Sequence, residues 1–488
     1  MNLPPTNVVD TPQSRCRFAM AWSDITPPAD IYHRMWGAAS HERASGIHRP
    51  LRATVTIFEP LDPPEPIGSS AQRQVLIALD HCVLGAAELD QLITALTQST
   101  GLSSEVFLVV FSHTHGAGLM SLERAELPGG DLIPPYLKLL GTRVTDLIQR
   151  CLRQVEPVTL VYGTGRCSLA RHRDYWDPNL AQFVCGFNPD HPADDTVLVA
   201  KAIADSGRLV ATLVNYACHP TTLAWENTRV SPDYIGALRE VVEKEFAAPC
   251  LFLQGACGEL GPKEGFVGDT AVADRNGREL GFAALAALTA LPPPGTQFRY
   301  TGPIVSGATL GTWTHSPLSH SDRLPHAYWN VSRWLKPLPY RADQPSISQV
   351  ETELQRFQSE EQAARARGDE SSTAAARAMA ERKRRLRHRL AQLPPGNSYP
   401  LQVVTWRIGN AIWVGVQGES YSILQTELRR RFPNQVIIVA SIAADWGASY
   451  LPPRVTYGKN IYQETIAVVA PGSLERLIDA IAHRIATL

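Results

Sequence analysis

The stretch Gln74-Val-Leu-Ile-Ala-Leu-Asp80 is an apolar run bounded by polar residues. Such a run is typical of a strand that is buried on both faces of a sheet. Residues Glu88–Thr97 follow with apolar side chains at helical spacing, and Val106–Phe111 is the next strand-like run. This succession of strand, helix and strand predicts an α/β fold with mixed α+β character, in which a layered sheet carries helices on its faces.

Apolar runs and helical periodicity continue the alternation on both sides of this stretch. Residues 1–15 are predicted to be a disordered tail and residues 16–488 a single domain. Further strands are predicted at Leu51–Phe58, Leu209–Cys218, Cys250–Gln254, Leu401–Arg407, Ala411–Gln417 and Gln435–Ile442. Further helices are predicted at Pro135–Gln154, Asp233–Phe246, Ala271–Leu291, Ser420–Phe432 and Ser473–Thr487.

The segment at about residues 346–393 has a different character. It is rich in Glu, Gln, Arg and Ala, and Gly368-Asp-Glu-Ser-Ser interrupts it midway. This pattern predicts a charged helical hairpin that projects from the body. Its basic run, Arg382-Lys-Arg-Arg-Leu-Arg-His-Arg389, favours a solvated face or an oligomer contact over nucleic-acid binding, because leucine interrupts it and Glu351–Glu361 can neutralise it.

Composition excludes several classes of protein. The 488-residue chain carries 46 Lys+Arg and 47 Asp+Glu, so net charge gives no attraction toward nucleic acid or an anionic membrane. No run of about 18 apolar residues is present, so we expect neither a transmembrane helix nor stable membrane association. The start of the chain lacks the basic and apolar regions of a secretory signal, and the eight cysteines form no CxxC pair. We therefore expect a cytoplasmic protein with reduced thiols.

Four predicted strands run into residues that can bind a metal. In an open α/β sheet, ligands bind beyond the carboxyl ends of the strands. Catalytic zinc takes His nitrogen and carboxylate oxygen and keeps one position open for water. Two histidines, a carboxylate and a phenol delivered to one edge therefore predict a zinc site. The strands ending at Phe111, Cys218, Gln417 and Ile442 are followed, in order, by His113, His219, Glu419 and Tyr450.

Each of these residues also has a purely structural explanation. A histidine near a strand end is often just a hydrogen-bonded loop residue. Glu419 precedes a predicted helix, whose dipole favours an acidic residue at its start. Arg171 and Arg173 could each supply a fixed positive charge, but most arginines form surface ion pairs and the sequence does not separate these two. The prediction therefore depends on the combination of residues.

Short motifs surround the same positions. They comprise Asp24-Ile-Thr-Pro-Pro, Ser112-His-Thr-His115, Asn215-Tyr-Ala-Cys-His219-Pro-Thr-Thr, Ser231-Pro-Asp-Tyr, Phe252-Leu-Gln-Gly-Ala-Cys-Gly-Glu-Leu-Gly-Pro262, Gly418-Glu419 and Gly447-Ala-Ser-Tyr450-Leu-Pro. In order and spacing they resemble the amidase domain of the neutral (non-lysosomal) ceramidase family, from about residue 18 to residue 485. Each motif is weak alone, but the set is specific.

The resemblance implies an α/β sheet domain with one catalytic zinc ion per chain. The zinc ligands that it implies are His113, His219, Glu419 and Tyr450. The contacts to the substrate or oxyanion that it implies are His115, Arg171 and Tyr462. A general base must lie near the attacking water, and His115 and Asp80 are candidates that the sequence does not rank.

Two departures from the ceramidase pattern bear on the substrate. Ceramidases carry a serine in an Asp-Val-Ser-Pro stretch, whereas the matching run here, Glu259-Leu-Gly-Pro262, places Gly261 at the serine position. Ceramidases also have a C-terminal β-sandwich domain, which this sequence does not include. Both departures argue against a membrane sphingolipid and indicate a similarity to the shorter, soluble bacterial members of the family.

The predicted function is hydrolysis of the amide C–N bond of a small soluble N-acyl substrate by zinc-activated water. An ester, lactone or lactam hydrolase on the same zinc site is one alternative, and a non-catalytic metal-binding homologue, suggested by Gly261, is another. A cysteine hydrolase using Cys257 is a third, although a buried, inert thiol is favoured. The charged hairpin could support a homodimer. An apolar pocket wall could include Trp36, Trp313, Trp329 and Trp334.

Overall fold

The computed structural model describes residues 7–62 and 72–488. Its helices are α1 Ala86–Thr100, α2 Ile133–Leu152, α3 Tyr234–Phe246, α4 Thr270–Thr289, α5 His320–Arg323, α6 Ile347–Ala366, α7 Glu370–Ala391, α8 Ile423–Arg431, α9 Tyr462–Ile466 and α10 Ser473–Ala486. Its strands are β1 Val8–Val9, β2 Gln13–Asp24, β3 Gly46–Ile47, β4 Arg52–Glu59, β5 Gln74–Leu79, β6 Phe107–Phe111, β7 Glu156–Arg166, β8 Ala170–His172, β9 Asp174–Asp177, β10 Gln182–Cys185, β11 Thr196–Ala204, β12 Leu209–Tyr216, β13 Arg229–Val230, β14 Cys250–Gln254, β15 Leu260–Pro262, β16 Thr296–Ser306, β17 Ala308–Pro317, β18 Trp329–Pro339, β19 Ser398–Ile408, β20 Ala411–Val416, β21 Glu419–Ser420, β22 Val436–Ser441 and β23 Tyr450–Leu451.

Two sheets form the centre of the molecule. The larger one has the strand order β14-β12-β11-β7-β2-β4-β5-β6, and it curls until β14 and β6 at its two edges come into contact. The smaller one has the order β18-β19-β20-β22. Most neighbouring strands are antiparallel, but β5–β6, β12–β14 and β20–β22 are parallel pairs. The strands that precede the predicted ligands, namely β6, β12, β20 and β22, thus all belong to these parallel pairs.

The two sheets pack face to face through a large apolar core. Phe58, Leu76 and Leu108 of the larger sheet meet Trp406 and Trp413 of the smaller sheet in one buried cluster. The Phe58 ring lies 5.8 Å from the Trp406 ring and 5.1 Å from the Trp413 ring, measured between centroids. Aromatic side chains of this size contribute much of the apolar area that a sheet-on-sheet core removes from water.

Helices cover the outer face of each sheet. Helices α1 and α2 pack on β4, β5 and β6, and α3 and α4 pack on the β7–β14 half of the larger sheet. Helices α8 and α10 pack on the smaller sheet. The result is four layers, helix, sheet, sheet and helix, so the predicted mixed α/β class with helices on the sheet faces is confirmed. The sequence pattern did not predict that the strands divide between two stacked sheets.

Two predicted segments differ in the structure. Residues 1–6 of the predicted tail lie outside the described residues, but Gln13 and Ser14 are buried at the start of β2, so the prediction of disorder is wrong there. The helical hairpin is present as α6 and α7. However, α7 packs against the body instead of projecting from it, since Glu381 is buried in an ion pair with Arg124.

None of the helices in the described part of the chain combines the length and the apolar character that crossing a bilayer requires.

Candidate metal centre

His113 lies two residues beyond β6 in a conformation that few residues adopt. Its φ angle is 66°, in the left-handed region that non-glycine residues rarely occupy. Such strained residues tend to occur at functional sites, where the surrounding structure holds them. The His113 backbone N–H donates to His81 O at 2.9 Å, and its ring Nδ1 donates to Cys82 O at 2.8 Å. These two bonds aim the free Nε2 into the interior.

His219 follows β12 and is held in the same way. Its ring Nδ1 donates to Cys257 O at 2.7 Å, which leaves Nε2 as the unprotonated nitrogen. Burial, together with the nearby Arg173 guanidinium, lowers the His219 pKa to about 4. The imidazole is therefore neutral at pH 7, which is the form that binds a metal. A histidine whose second ring nitrogen donates to a carbonyl is the usual arrangement at metal sites.

Glu419 is placed opposite the two histidines by a short parallel pairing of β21 with β23. Its Oε2 lies 2.9 Å from His219 Nε2 and 3.4 Å from His113 Nε2, and its Oε1 accepts a hydrogen bond from Trp446 Nε1. Burial alone would raise the pKa of the carboxyl, but the His113 and His219 contacts bring it well below its usual range. Glu419 therefore contributes an ionised carboxylate.

A glycine immediately before Glu419 makes this close approach feasible. Gly418 has a φ angle of 81°, and a Cβ atom there would lie 2.7 Å from Ser449 O. Any side chain at this position would push β21 away from the Tyr450 strand.

Tyr450 completes the ring of donors. Its hydroxyl lies 3.3 Å from His219 Nε2, and it accepts a hydrogen bond from Arg173 Nη2 at 3.0 Å. Burial and the Glu419 charge raise the pKa of Tyr450 well above its ordinary value, against the opposing effect of Arg173. The phenol is consequently neutral in the protein alone.

The unsatisfied atoms of this cluster fit a metal cation. The nearest donor atoms of His113, His219 and Glu419 all lie within 4.8 Å of one another. His113 Nε2 is buried without a hydrogen-bond partner, and His219 Nε2 faces a carboxylate oxygen while its own proton is on Nδ1. Burial lowers the pKa of His113, but Cys82 and Glu419 raise it well above its usual value, so in the protein alone a proton lies between these groups, and a metal cation could take its place. Two imidazoles and one carboxylate match the ligand set of catalytic zinc sites.

His115 lies beside the cluster and is not one of the facing donors. Its ring is 5.0 Å from the His113 ring and 6.2 Å from the His219 ring, and neither of its ring nitrogens has a hydrogen-bond partner. Burial and the two neighbouring histidines lower its pKa well below the usual value. His115 is therefore a neutral imidazole with a nitrogen available to accept a proton.

The two arginines that the sequence left equivalent have different surroundings. Arg173 is buried and donates to the Tyr450 hydroxyl and to Gly258 O. Arg171 is half-buried, and its side-chain hydrogen bond goes to the adjacent Ala170 O. The structure thus brings Arg173, and not Arg171, to the predicted ligands.

Asp80 and Tyr462 also occupy different surroundings. Asp80 is buried and receives two hydrogen bonds from the Arg239 guanidinium, with Nη1 at 2.8 Å from Oδ2, and a third from the Arg52 backbone. Its two oxygens are therefore engaged in a structural ion pair, so Asp80 is not available as a general base. Tyr462 starts α9, and its ring lies 5.9 Å from the Tyr450 ring. It is 43% exposed, which places it on the solvent side of Tyr450.

Several contacts at this site were missed by sequence reasoning. Trp446 donates to Glu419 directly, but it does not lie in a metal-binding pattern. Among the tryptophans suggested for a pocket wall, Trp36 packs 5.0 Å from the His115 ring. Trp313 packs on Phe298 in the β16–β17 hairpin. The sequence names Arg173 together with Arg171, but Arg173 lies between β8 and β9, and no local signal marks it as the arginine that reaches Tyr450.

Cys257 lies close to the cluster in a form unsuited to nucleophilic attack. Its thiol is 3.3 Å from His219 Nδ1 and receives a hydrogen bond from Gln254 Nε2 at 2.9 Å. The residue is 1% exposed, and burial raises the pKa of the thiol well above its normal value. Because His219 Nδ1 already donates to a carbonyl, it has no lone pair left to accept the thiol proton. The prediction of an inert, buried thiol agrees with these surroundings.

Gly261 has room for the side chain that it lacks. A Cβ atom there would lie 3.7 Å from Thr221 Oγ1 and 3.9 Å from Arg173 Cδ, which are ordinary contact distances. By contrast, a Cβ atom on Gly258 would lie 2.9 Å from Tyr421 Cδ1 and 3.0 Å from Glu419 O. Crowding therefore does not explain why glycine, and not serine, occupies position 261.

We expect the Gly261→Ser variant to unfold within about 2 °C of the unmodified protein, because the new hydroxyl fills open space. The matched Gly258→Ser variant should lose about 1–3 kcal/mol of stability through overpacking. Thermal unfolding of both variants checks this. An equal loss in the two proteins would show that the space at Gly261 is not available.

Comparisons with known proteins bear on the fold. No protein-family model matches the sequence, and no curated protein matches it. Among solved structures, the neutral ceramidase of Pseudomonas aeruginosa superposes with a TM-score of 0.60 at 17% identity, covering 97% of this chain and 74% of the ceramidase chain. A ceramidase complexed with C2 gives a TM-score of 0.61 at 17% identity, covering 98% of this chain and 76% of that chain.

The chain has the neutral ceramidase fold. The superposition extends over almost all of this chain, which confirms at the level of the fold the resemblance that the motifs indicated. The neutral ceramidase fold therefore supplies the frame that holds His113, His219, Glu419 and Tyr450 together.

Proposed function

We propose that this protein is a zinc-dependent hydrolase that cleaves the amide C–N bond of a small N-acyl compound. The observation that carries the proposal is the convergence of His113, His219 and Glu419, with the Tyr450 hydroxyl beside them. Both structural neighbours are ceramidases, and a ceramidase acts on an amide. The neutral ceramidase fold combined with this donor set supports the same reaction class here.

His113, His219 and Glu419 would hold the zinc ion, with Tyr450 as the fourth donor. A bound zinc ion polarises a carbonyl oxygen and lowers the pKa of a water molecule toward about 7. Cys82 O and Cys257 O fix the two imidazoles by accepting hydrogen bonds from Nδ1, so that both Nε2 atoms stay available. Such outer partners raise the basicity of the ligands and maintain their orientation.

The remaining side chains have complementary roles in the proposed reaction. His115 accepts a proton from the attacking water, because it is neutral and neither of its ring nitrogens has another partner. It then returns the proton to the leaving nitrogen as the C–N bond breaks. The Tyr462 hydroxyl and the Arg173 guanidinium donate to the developing oxyanion, and a donor of this kind typically contributes a few kcal/mol. We assign to Arg173 the role that the sequence gave to Arg171.

The experiment that tests the proposal combines metal analysis with a substrate panel. Elemental analysis of the purified protein should find about one zinc per chain. The panel pairs N-hexanoyl amines with hexanoate esters of the matching alcohols, so that it separates amidase from esterase activity. We expect amide cleavage that stops when zinc is chelated and returns when zinc is added.

Other outcomes would indicate a different function. Zinc binding without turnover of any amide or ester would favour a non-catalytic metal protein. Activity that survives chelation and is lost on thiol alkylation would move the chemistry to a cysteine. A folded, metal-free protein that takes up no zinc would contradict the proposal.

A further inference from the structure

The second helix of the hairpin packs against both segments that border the candidate metal centre. Arg385 of α7 donates to Met35 O, next to Trp36. Arg382 donates to the Thr465 hydroxyl in α9, and Arg389 donates to Ile466 O at the end of α9. The basic run that we expected to be solvated therefore connects the Trp36 segment with the Tyr462 helix.

Arg389 is the buried member of this run. It is 7% exposed, and its guanidinium lies 4.5 Å from the centre of the Trp446 ring. The indole of Trp446 in turn donates to Glu419, so a single side chain separates Arg389 from the candidate ligand. The charge of Arg389 interacts with Tyr462, Glu419 and Tyr450. Arg389 thus belongs electrostatically to the metal centre.

Arg389 lacks an acidic partner of the kind that two other buried arginines, Arg239 and Arg124, have. Arg239 is paired with Asp80, and Arg124 is paired with Glu381 at 2.9 Å. Among the described residues, the partners of Arg389 are the Ile466 carbonyl and the Trp446 ring, and its Nε is buried without a hydrogen-bond partner.

A buried cation of this kind is costly unless an anion completes its surroundings. An arginine offers five N–H donors in a planar fork that matches a carboxylate. Among the described residues most of these donors on Arg389 have no partner, and the one carbonyl that it contacts, Ile466 O, belongs to the same short helix as Tyr462. Burial of the unpaired charge lowers the pKa of Arg389 to about 10, as expected where a counter-charge is missing.

The His115 side of the centre is aromatic. Trp36 packs against His115, and its ring lies 6.3 Å from Trp225 and 5.7 Å from Phe266. Trp225 is 38% exposed, and Trp36 and Phe266 are half-buried, so this cluster faces solvent beside His115. The site therefore has an apolar end at Trp36 and a cationic end at Arg389.

We propose that the substrate is an anionic amide, an N-acyl amino acid, whose acyl group packs on Trp36, Trp225 and Phe266 while Arg389 binds its carboxylate. This inference rests on the proposed amide hydrolysis and narrows its substrate class. The water oxygen bonds to the acyl carbon and the C–N bond breaks. The amine leaves with the transferred proton, so one carboxylate and one free amino acid are formed.

The test compares substrates that differ only in the negative charge. N-hexanoyl-glycine and its neutral counterpart N-hexanoyl-glycinamide share the scissile bond and the acyl chain. The unmodified protein should cleave the glycine compound with a kcat/KM at least about tenfold higher, because a hydrogen bond to a charged group is worth roughly that much or more. Arg389→Met should remove this preference by raising KM for the anionic substrate and leaving the neutral one nearly unchanged.

A second readout does not depend on turnover. N-hexylsulfonyl-glycine resists hydrolysis, and its binding can be measured by calorimetry against the neutral N-hexylsulfonyl-glycinamide. Arg389→Met should weaken binding of the acid about tenfold or more and spare the amide. Arg356→Met is the matched control, since it removes an exposed arginine from the other helix of the hairpin, where it pairs with Glu360. Its preference should equal that of the unmodified protein.

The outcomes separate this inference from the proposed function. Cleavage of both hexanoyl compounds at equal rates would overturn the anionic substrate and leave amide hydrolysis intact. Charge-selective binding of the sulfonyl acid without any turnover would overturn amide hydrolysis and retain the anion site. If Arg389→Met does not fold, Arg389→Lys is used instead, because it keeps the charge without the planar fork. The comparison of the acid with the amide substrate in the unmodified protein still tests whether the anionic substrate is preferred. An equal loss for the acid and amide ligands in the variant would assign Arg389 a structural role only.

Discussion

His219→Ala is expected to remove the zinc ion from the protein and to abolish amide hydrolysis. The imidazole supplies one of three facing donors, and its Nε2 lies 2.9 Å from Glu419 Oε2. Without it, only His113 and Glu419 remain as an imidazole and a carboxylate ligand, and the neutral Tyr450 phenol beside them is a weak third donor in place of a second imidazole. Elemental analysis should show the metal falling from about one equivalent to near zero.

A control variant shows whether the effect is specific to this histidine. His326→Ala removes a half-buried imidazole beside Gln13 and Gly295, in a surface cavity formed by other residues. It should keep its zinc and its activity. Retention of zinc by His219→Ala with an unchanged affinity would contradict the assignment of His219 as a ligand.

Asp80→Ala is expected to destabilise the fold by about 3–5 kcal/mol, because it strands a buried guanidinium without its partner. The side chains of Asp80 and Arg239 are 2% and 5% exposed, and both Asp80 oxygens accept from Arg239. Denaturant unfolding measures the loss. The double variant Asp80→Leu with Arg239→Met should recover most of it, since no unpaired charge remains.

The Asp80→Ala variant also distinguishes a structural role of Asp80 from a catalytic one, and Glu264→Ala is its control. Glu264→Ala breaks an exposed ion pair with Arg275, in which each side chain is 55% exposed, and should cost less than about 1 kcal/mol. A normal unfolding midpoint for Asp80→Ala, accompanied by lost activity and retained zinc, would restore Asp80 as the general base.

The candidate ligands could be predicted because each follows a strand. His113, His219 and Glu419 lie just beyond strand ends, and parallel neighbours bring such ends to one edge, whereas Tyr450 follows β22 through a longer loop and starts β23. The longer helices could be predicted to within a few residues from their apolar periodicity, whereas the short helices α5 and α9 were not predicted.

Other features depend on tertiary contacts that no local pattern records. Arg171 lies in β8 and Arg173 just beyond it, and it is the contact with Tyr450 that distinguishes their roles. Arg389 lies in a run whose composition is typical of a solvated helix, and its burial follows from how α7 docks on α9. Asp80 follows an apolar strand, as a catalytic carboxylate could, but it forms an ion pair with Arg239 of α3, which is distant in sequence.

The division of the ligands between the two sheets determines when the site can exist. His113 and His219 follow strands of the larger sheet, and Glu419 and Tyr450 follow strands of the smaller one, with His219 and Glu419 200 residues apart along the chain. Contacts of such long range form late, because the chain must first close a large loop. A nascent chain emerging from the ribosome would therefore have only half of the donors in place. The proposed metal ion would be bound only after synthesis has passed Tyr450 and the smaller sheet has formed.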